Sequence, residues 1–365
     1  MVLIALRAVL LMAGVVLVGY TLITAVMTFV MPRSAQDAVT RTVFVLVRVG
    51  FNLWARLQNS YEARDNAMAL YAPLALVILP GVWLLMVTLG YTAIFWAVGV
   101  WPLHEALRLS ISSVMTLGFV QVSGLTLTLI VFSEAVIGLV LVALLISYLP
   151  AIYGAFSRRE TLVSMLEVRA GSPPNALDML KRYHRLRRME LLSEMWVLWE
   201  AWFSELEETH TSLAALSFFR SPRAHRSWII AAGAVLDSAA LANAALDIPH
   251  DVQADICIRA GYLALRHIAD YFNIPHDAEP KATDPISISR QEFDDVCREL
   301  EEYGIAMKSD RDQAWRDFSG WRVNYDTVLL TLSSLVMAPY APWSSDRSPV
   351  YAASWVKKQR KTLRI

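Results

Sequence analysis

Three stretches of this chain, residues 8–31, 67–98 and 125–156, carry apolar side chains almost without interruption. A bilayer's hydrocarbon core is about 30 Å thick and is crossed by about 20 apolar helical residues, so each stretch is long enough to span it. Backbone groups in lipid find no water to bond, which leaves a helix as the conformation open to such a segment. The fold class that follows is all-α, with three membrane spans. Composition agrees: 56% of residues are hydrophobic and only 18% are charged, against about 25% in soluble domains. Pro73 and Pro80 in the second stretch and Pro150 in the third are compatible with spanning helices whose neighbours satisfy the freed carbonyls. The first stretch reads as an anchor rather than a signal peptide. It is longer than the usual ~7–15 apolar residues, its only early cation is Arg7, and no clear small-x-small cleavage site follows.

The basic residues set an orientation. Between the first two spans stand Arg33, Arg41, Arg48, Arg56 and Arg64; between the second and third stands only Arg108; the third exits into Arg158 and Arg159. Arginine-rich loops stay on the cytoplasmic side. The first loop and the C-terminal part are therefore expected in the cytoplasm, the N-terminus outside, and the whole chain in the cell membrane as a multi-pass protein. The five loop arginines recur every seven or eight residues and would share one face of a helix. Two readings remain open for it: a helix lying on the anionic inner leaflet, or an ordinary solvated charged face. A voltage sensor would need the arginines inside a span at closer spacing. The formal net charge of +0 argues against a general nucleic-acid binder, which needs a basic surplus. Cys257 and Cys297 show no CxxC spacing and read as two unpaired thiols in a reducing compartment.

Residues 101–124 are too polar and short to span, yet too apolar for a plain surface loop. Pro102 stands where a helix starts, residues 103–116 read as a short helix, and Thr116-Leu117-Gly118-Phe119 closes it. A span, a short helix, a Thr-x-Gly-aromatic turn and another span is the layout of a re-entrant pore loop. Non-helical backbone at that depth survives only beside protein or a water-filled cavity, and its carbonyls can replace an ion's hydration shell. On Ser113-Val114-Met115-Thr116-Leu117-Gly118-Phe119 the sequence resembles the two-helix, pore-loop potassium channel superfamily, over residues 67–160. Glu134-Ala135-Val136-Ile137-Gly138, Tyr148-Leu149-Pro150 and Ser157-Arg158-Arg159-Glu160 are similar to a group of bacterial membrane proteins classed with those channels. The resemblance implies passive conduction of a monovalent cation, a homotetramer in which each chain supplies one loop, and a constriction formed by the carbonyls of Thr116, Leu117, Gly118 and Phe119. It also makes Gly138 a hinge of the inner helix, although such a glycine equally permits close helix packing.

Two positions depart from that family. Val120 stands where its filter has a second glycine and Gln121 where an aspartate usually follows. A β-branched residue disfavours the backbone conformations such a glycine uses, so a non-conducting membrane scaffold or sensor that keeps the pore-loop fold is the alternative. Glu134 is the one acidic residue well inside a span. It reads either as a pore-lining or gating group, paired with a cation such as Arg108, or as a residue near the outer interface that reaches water.

The expected divisions are residues 1–66 (first span and basic segment), 67–160 (pore module) and 161–365 (helical cytoplasmic domain with a basic tail). Ala170-Gly171-Ser172-Pro173-Pro174 ends the third span's helix, and Asn175 with Asp178 caps the next. Residues 176–208, 251–273, 289–307 and 314–336 read as helices. Residues 227–246 are long enough to span, but their alanine-rich content with Asp237 and Asn243 reads as a core helix. The tail's Lys357-Lys358-Gln359-Arg360-Lys361 is either a lipid contact or a solvated terminus. No Gly-rich phosphate loop, GxSxG or HExxH occurs, and the histidines do not fall at metal-ligand spacing. No catalytic residue, metal or cofactor is therefore expected, and the chain does not read as an enzyme.

Overall fold

The computed structural model describes residues 1–29, 37–58 and 60–347. Among them the regular structure is helical, with Leu246 and Met307 forming an isolated antiparallel bridge. Five of these helical segments are long and apolar enough to cross a membrane. The chain divides into two units. One comprises Met1–Asn59 and Ala67–Gly154, the other Ser60–Asn66 and Ala155–Ile365.

The first unit begins with α1 (Val2–Phe29) and α2 (Ala38–Arg56). α3 (Tyr61–Ala69) leads into α4 (Tyr71–Val98), and the short α5 (Leu103–Val114) precedes α6 (Leu125–Ala170). α1 and α4 approach until their backbones touch: a Cβ added at Gly14 would stand 2.5 Å from the Gly90 carbonyl oxygen. Small residues at such crossings let apolar helices gain dispersion contacts where lipid offers no hydrophobic drive. α4 is the buried element, with Leu79, Trp83, Val87 and Phe95 enclosed, and Gly99 at φ 111° ends it. Asp37 starts α2 by accepting from the Thr40 amide at 2.9 Å.

The single arginine face expected of the first loop is not what forms. Arg41, Arg48 and Arg56 lie on α2, Arg64 lies on the separate α3, and Arg33 falls outside the described residues. α2 buries Val43, Phe51 and Ala55, yet Leu46, Val49, Leu53 and Trp54 are exposed.

The second unit gathers the end of α6, then α7 (Ala176–Arg185), α8 (Leu192–Ser212), α9 (Trp228–Ala245), α10 (Val252–Tyr271), α11 (Arg290–Glu302), α12 (Arg311–Arg322) and α13 (Asp326–Leu335). α9 is its axis: every residue from Trp228 to Ala245 is buried, with α7, α10, α12 and α13 packed round it. Alanines on all sides of α9 let those neighbours come close, and a Cβ on Gly261 of α10 would meet Leu236 at 2.5 Å. Thus the alanine-rich run, long enough to cross a bilayer, is enclosed by protein. Trp196, Trp199 and Trp202 form the expected buried seam on α8, the last two with ring centroids 4.5 Å apart.

Two expected helices are each broken. The run 176–208 is interrupted after α7, where Arg187 adopts φ 55°, and 314–336 is interrupted between Arg322 and Asp326. Asn175 and Ser289 cap their helices as side-chain acceptors, Ser289 in a reciprocal box with Glu292. Cys257 and Cys297 are free and buried.

Candidate pore-loop site

α5 owes its start to Pro102, which carries no N–H to leave unsatisfied, and to Glu105 in its first turn. Its outer face is capped by local charge, Arg108 pairing with Glu105 at 2.9 Å. Its inner face is small and polar: Ala106, Ser110, Ser112 and Ser113 are buried with Leu109 and Val114. This face meets α4 and α6. Ser110 Oγ lies 3.0 Å from the Thr88 carbonyl oxygen and 2.5 Å from Glu134 Oε1. Tyr91 of α4 and Ser133 of α6 share a hydroxyl–hydroxyl bond of 2.8 Å nearby.

The turn after α5 is wound tightly back onto the helix end. Thr116 and Gly118 take positive φ, 53° and 68°, a conformation glycine adopts freely and threonine rarely. The amide of Thr116 donates to the Ser113 carbonyl (2.9 Å), and those of Leu117 and Gly118 to the Ser112 carbonyl (2.9 and 3.3 Å). Ser112 Oγ then accepts from the Val120 amide at 3.2 Å. The amides of Thr116, Leu117, Gly118 and Val120 are thereby satisfied. The carbonyls of Thr116, Leu117, Gly118 and Phe119 accept no hydrogen bond among the described residues, and all four residues are exposed. Unpartnered backbone carbonyls at the end of a buried helix require water, an ion or another chain.

Thr116 to Phe119 thus form one exposed group, whereas Glu134 and Gly138 face α5. Glu134 is fully buried. It does not meet Arg108, which is engaged with Glu105, nor does it reach open solvent. Its Oε2 has no partner among the described residues. At Gly138 an added Cβ would stand 2.0 Å from the Val114 carbonyl oxygen and 2.9 Å from its carbon. The geometry gives this glycine the close-packing role, letting α6 touch the last turn of α5.

Sequence reading does not single out Ser110 and Ser112, though they hold the loop from behind. A cluster of serines on a short helix between apolar spans is the signal that points to them.

The second unit holds buried polar groups of its own. Arg159 donates to Glu160 (2.8 Å) and to the carbonyls of Leu216 (2.9 Å) and Phe219 (2.7 Å). His210 Nδ1 lies 2.9 Å from the Leu206 carbonyl, so that nitrogen carries the proton and Nε2 accepts from Arg159 at 3.2 Å. Burial, and then the Arg159 cation, push the His210 pKa well below the ordinary histidine value. Deeper in, Arg322 bridges Asp237 (2.5 Å) and Asp326 (2.8 Å). Burial works against the Arg322 charge, yet the two carboxylates together raise its pKa above that of a free arginine.

Residues 60–66 belong to this unit through a buried ion pair between Asp65 and Arg220. Arg220 also donates to the Val336 carbonyl at 2.7 Å, and Tyr61 to the Met337 carbonyl at 3.3 Å. Among the described residues no group of three His, Cys, Asp or Glu side chains is placed to hold a metal ion. Comparison with protein-family models, with curated proteins and with solved structures gives no match to this chain.

Proposed function

We propose that this chain is a pore-loop membrane protein that passes a monovalent cation, with α5 and its turn as a re-entrant loop between the spanning helices α4 and α6. The observation that carries this is the turn at residues 116–119, where the amides of Thr116, Leu117 and Gly118 are folded back onto α5 while the carbonyls of four consecutive exposed residues stay unpartnered among the described residues. Carbonyls held this way can replace the hydration shell of an ion. One chain offers one such turn, so the pore requires several copies, four on the resemblance to potassium channels. Glu134 and Gly138 then act from behind the constriction, bracing α5 rather than lining the path.

The Asp65–Arg220 pair supports the orientation. It joins the loop before α4 to the chain after α6, so both lie on one side of the bilayer, and the loop arginines make that side cytoplasmic. The exposed apolar set on α2, flanked by Arg41, Arg48 and Arg56, suits contact with the anionic inner leaflet.

A second reading, a non-conducting scaffold or sensor, is favoured by Val120. Its backbone is not in the positive-φ region, and its amide is tied to Ser112, so the turn lacks the second glycine-like step of a potassium filter. Planar-bilayer recording of the purified full chain and of Val120→Gly separates the two. Cation current in the wild type supports the pore. Current only in Val120→Gly supports the scaffold reading, and no current in either removes conduction altogether. A detergent-solubilised assembly of other than four protomers would count against the tetramer.

A further inference from the structure

The second unit carries a partly open pocket of about 220 Å³ between the start of α7, one face of α9, α11 and residues 342–344. A dry cavity of roughly 150 Å³ in an engineered core is enough to take up benzene. The walls here are mostly apolar: Leu177 from α7, Ile230 and Ala234 a turn apart on α9, Val296 from α11, and Trp343. The charged residues lining it are Asp178 and Asp237, with no lysine, arginine or histidine among the lining residues.

Asp237 is only 3% exposed. Both donors that reach it, Arg322 Nη1 at 2.5 Å and the Tyr325 hydroxyl at 2.8 Å, fall on Oδ1. Its Oδ2 accepts no hydrogen bond among the described residues. The single guanidinium of Arg322 serves both Asp237 and Asp326, and Asp326 also accepts from the Ser287 amide and hydroxyl, so of the two carboxylates Asp237 is the one with an oxygen left unpartnered among the described residues. Arg322 also fixes the wall of the cavity, because Nη2 donates to the Trp343 carbonyl at 2.6 Å. One buried side chain thereby sets a carboxylate and an indole beside the same space.

We propose that this cavity is a binding site for a small organic ammonium ion, its nitrogen on Asp237 Oδ2 and its carbon skeleton against Ile230, Ala234 and Trp343. A carboxylate gives a charge-assisted bond to the ammonium, and an indole attracts the cation through its face. An anion would meet two carboxylates and no cation. A Ca²⁺ or Mg²⁺ ion would want six or more oxygen ligands, which these apolar walls do not supply. The site stands independently of conduction by the loop.

The test uses the full chain in detergent, titrated with benzylamine, with its neutral counterpart benzyl alcohol, and with phenylacetate. The amine is expected to bind at least about tenfold more tightly than the alcohol, and phenylacetate not to bind. Asp237→Asn should remove the preference for the amine. Should that variant fold poorly, Ala234→Leu fills the cavity without touching the charge and should abolish binding while the protein stays folded. Equal affinity for amine and alcohol overturns the proposal, and so does amine binding that Ala234→Leu leaves unchanged. Binding seen only in a chain ending at Arg347 also overturns it, since the lysine-rich tail would then be the occupant.

Discussion

Replacing Gly138 by alanine adds one methyl group where α6 meets the end of α5, and the sign of the result is diagnostic. In an open helix the change is favourable, because glycine in a helix interior costs roughly 0.5–1 kcal/mol relative to alanine. At Gly138 the new Cβ would stand 2.0 Å from the Val114 carbonyl oxygen and 2.9 Å from its carbon. Both atoms belong to backbone, which cannot swing aside as a side-chain tip would. The helices must separate by about an ångström, and overpacking of this kind costs about 1–3 kcal/mol. Gly81 on α4 is the control, with nothing within 4 Å of its added Cβ. Thermal unfolding in one detergent, followed by tryptophan fluorescence, should show Gly138→Ala less stable than wild type by about 1–3 kcal/mol. Gly81→Ala should be equal to wild type or slightly more stable. If Gly138→Ala matches or exceeds the wild type, α5 does not pack on α6 as described, and the bracing of the loop from behind is wrong.

Other consequences concern the second unit. His210 stays neutral when folded but gains a proton near pH 6.5 when unfolded, so the unfolded state binds more protons as pH falls. Stability should therefore drop below about pH 6.5 by up to about 1.4 kcal/mol per pH unit, and His210→Gln should flatten that slope relative to wild type in unfolding curves at about pH 5 and 7. Arg322→Leu leaves Asp237 and Asp326 buried without their cation and should cost about 3–5 kcal/mol, measured by denaturant titration. Cys257 and Cys297 are buried, and burial raises both thiol pKa values, that of Cys297 to about 11. Neither should react with a maleimide in the folded protein, and both should after unfolding; rapid labelling of the native chain would contradict their enclosure.

The helical architecture was legible because its signals are local. Uninterrupted apolar runs mark α1, α4 and α6, while Asp237 and Asn243 amid alanine mark α9 as a core helix. The Asn175 cap and the Ser289–Glu292 box are set by residues three apart. The break at Arg187 was not legible, since neither glycine nor proline stands there, whereas the break at Leu70 falls just ahead of Pro73 in the first turn of α4. What holds the candidate site is non-local, Ser110 meeting Glu134 across 24 residues, and so is the pair that ties residues 60–66 to the second unit, Asp65 meeting Arg220 across 155. Periodicity tells which face of a helix is apolar, but not which helix will cover it. Glu134 illustrates this. Its isolation inside an apolar run pointed to a special environment, while its partner, a serine on α5 rather than Arg108, emerges only when the helices pack. Gly138 is similar, since hinge and packing roles share one letter and differ only in how close Val114 lies.

The most direct measurement places a cysteine at the exposed turn. Phe119→Cys introduces one accessible thiol into a chain whose native cysteines are buried. Cation current through the reconstituted variant is then recorded while a positively charged, thiol-specific reagent is applied. If residues 116–119 surround the ion path, the current falls on modification and the wild type is unaffected. Current that persists once the introduced thiol is fully modified, or a variant and wild type that both carry none, would contradict a conducting pore built on this turn.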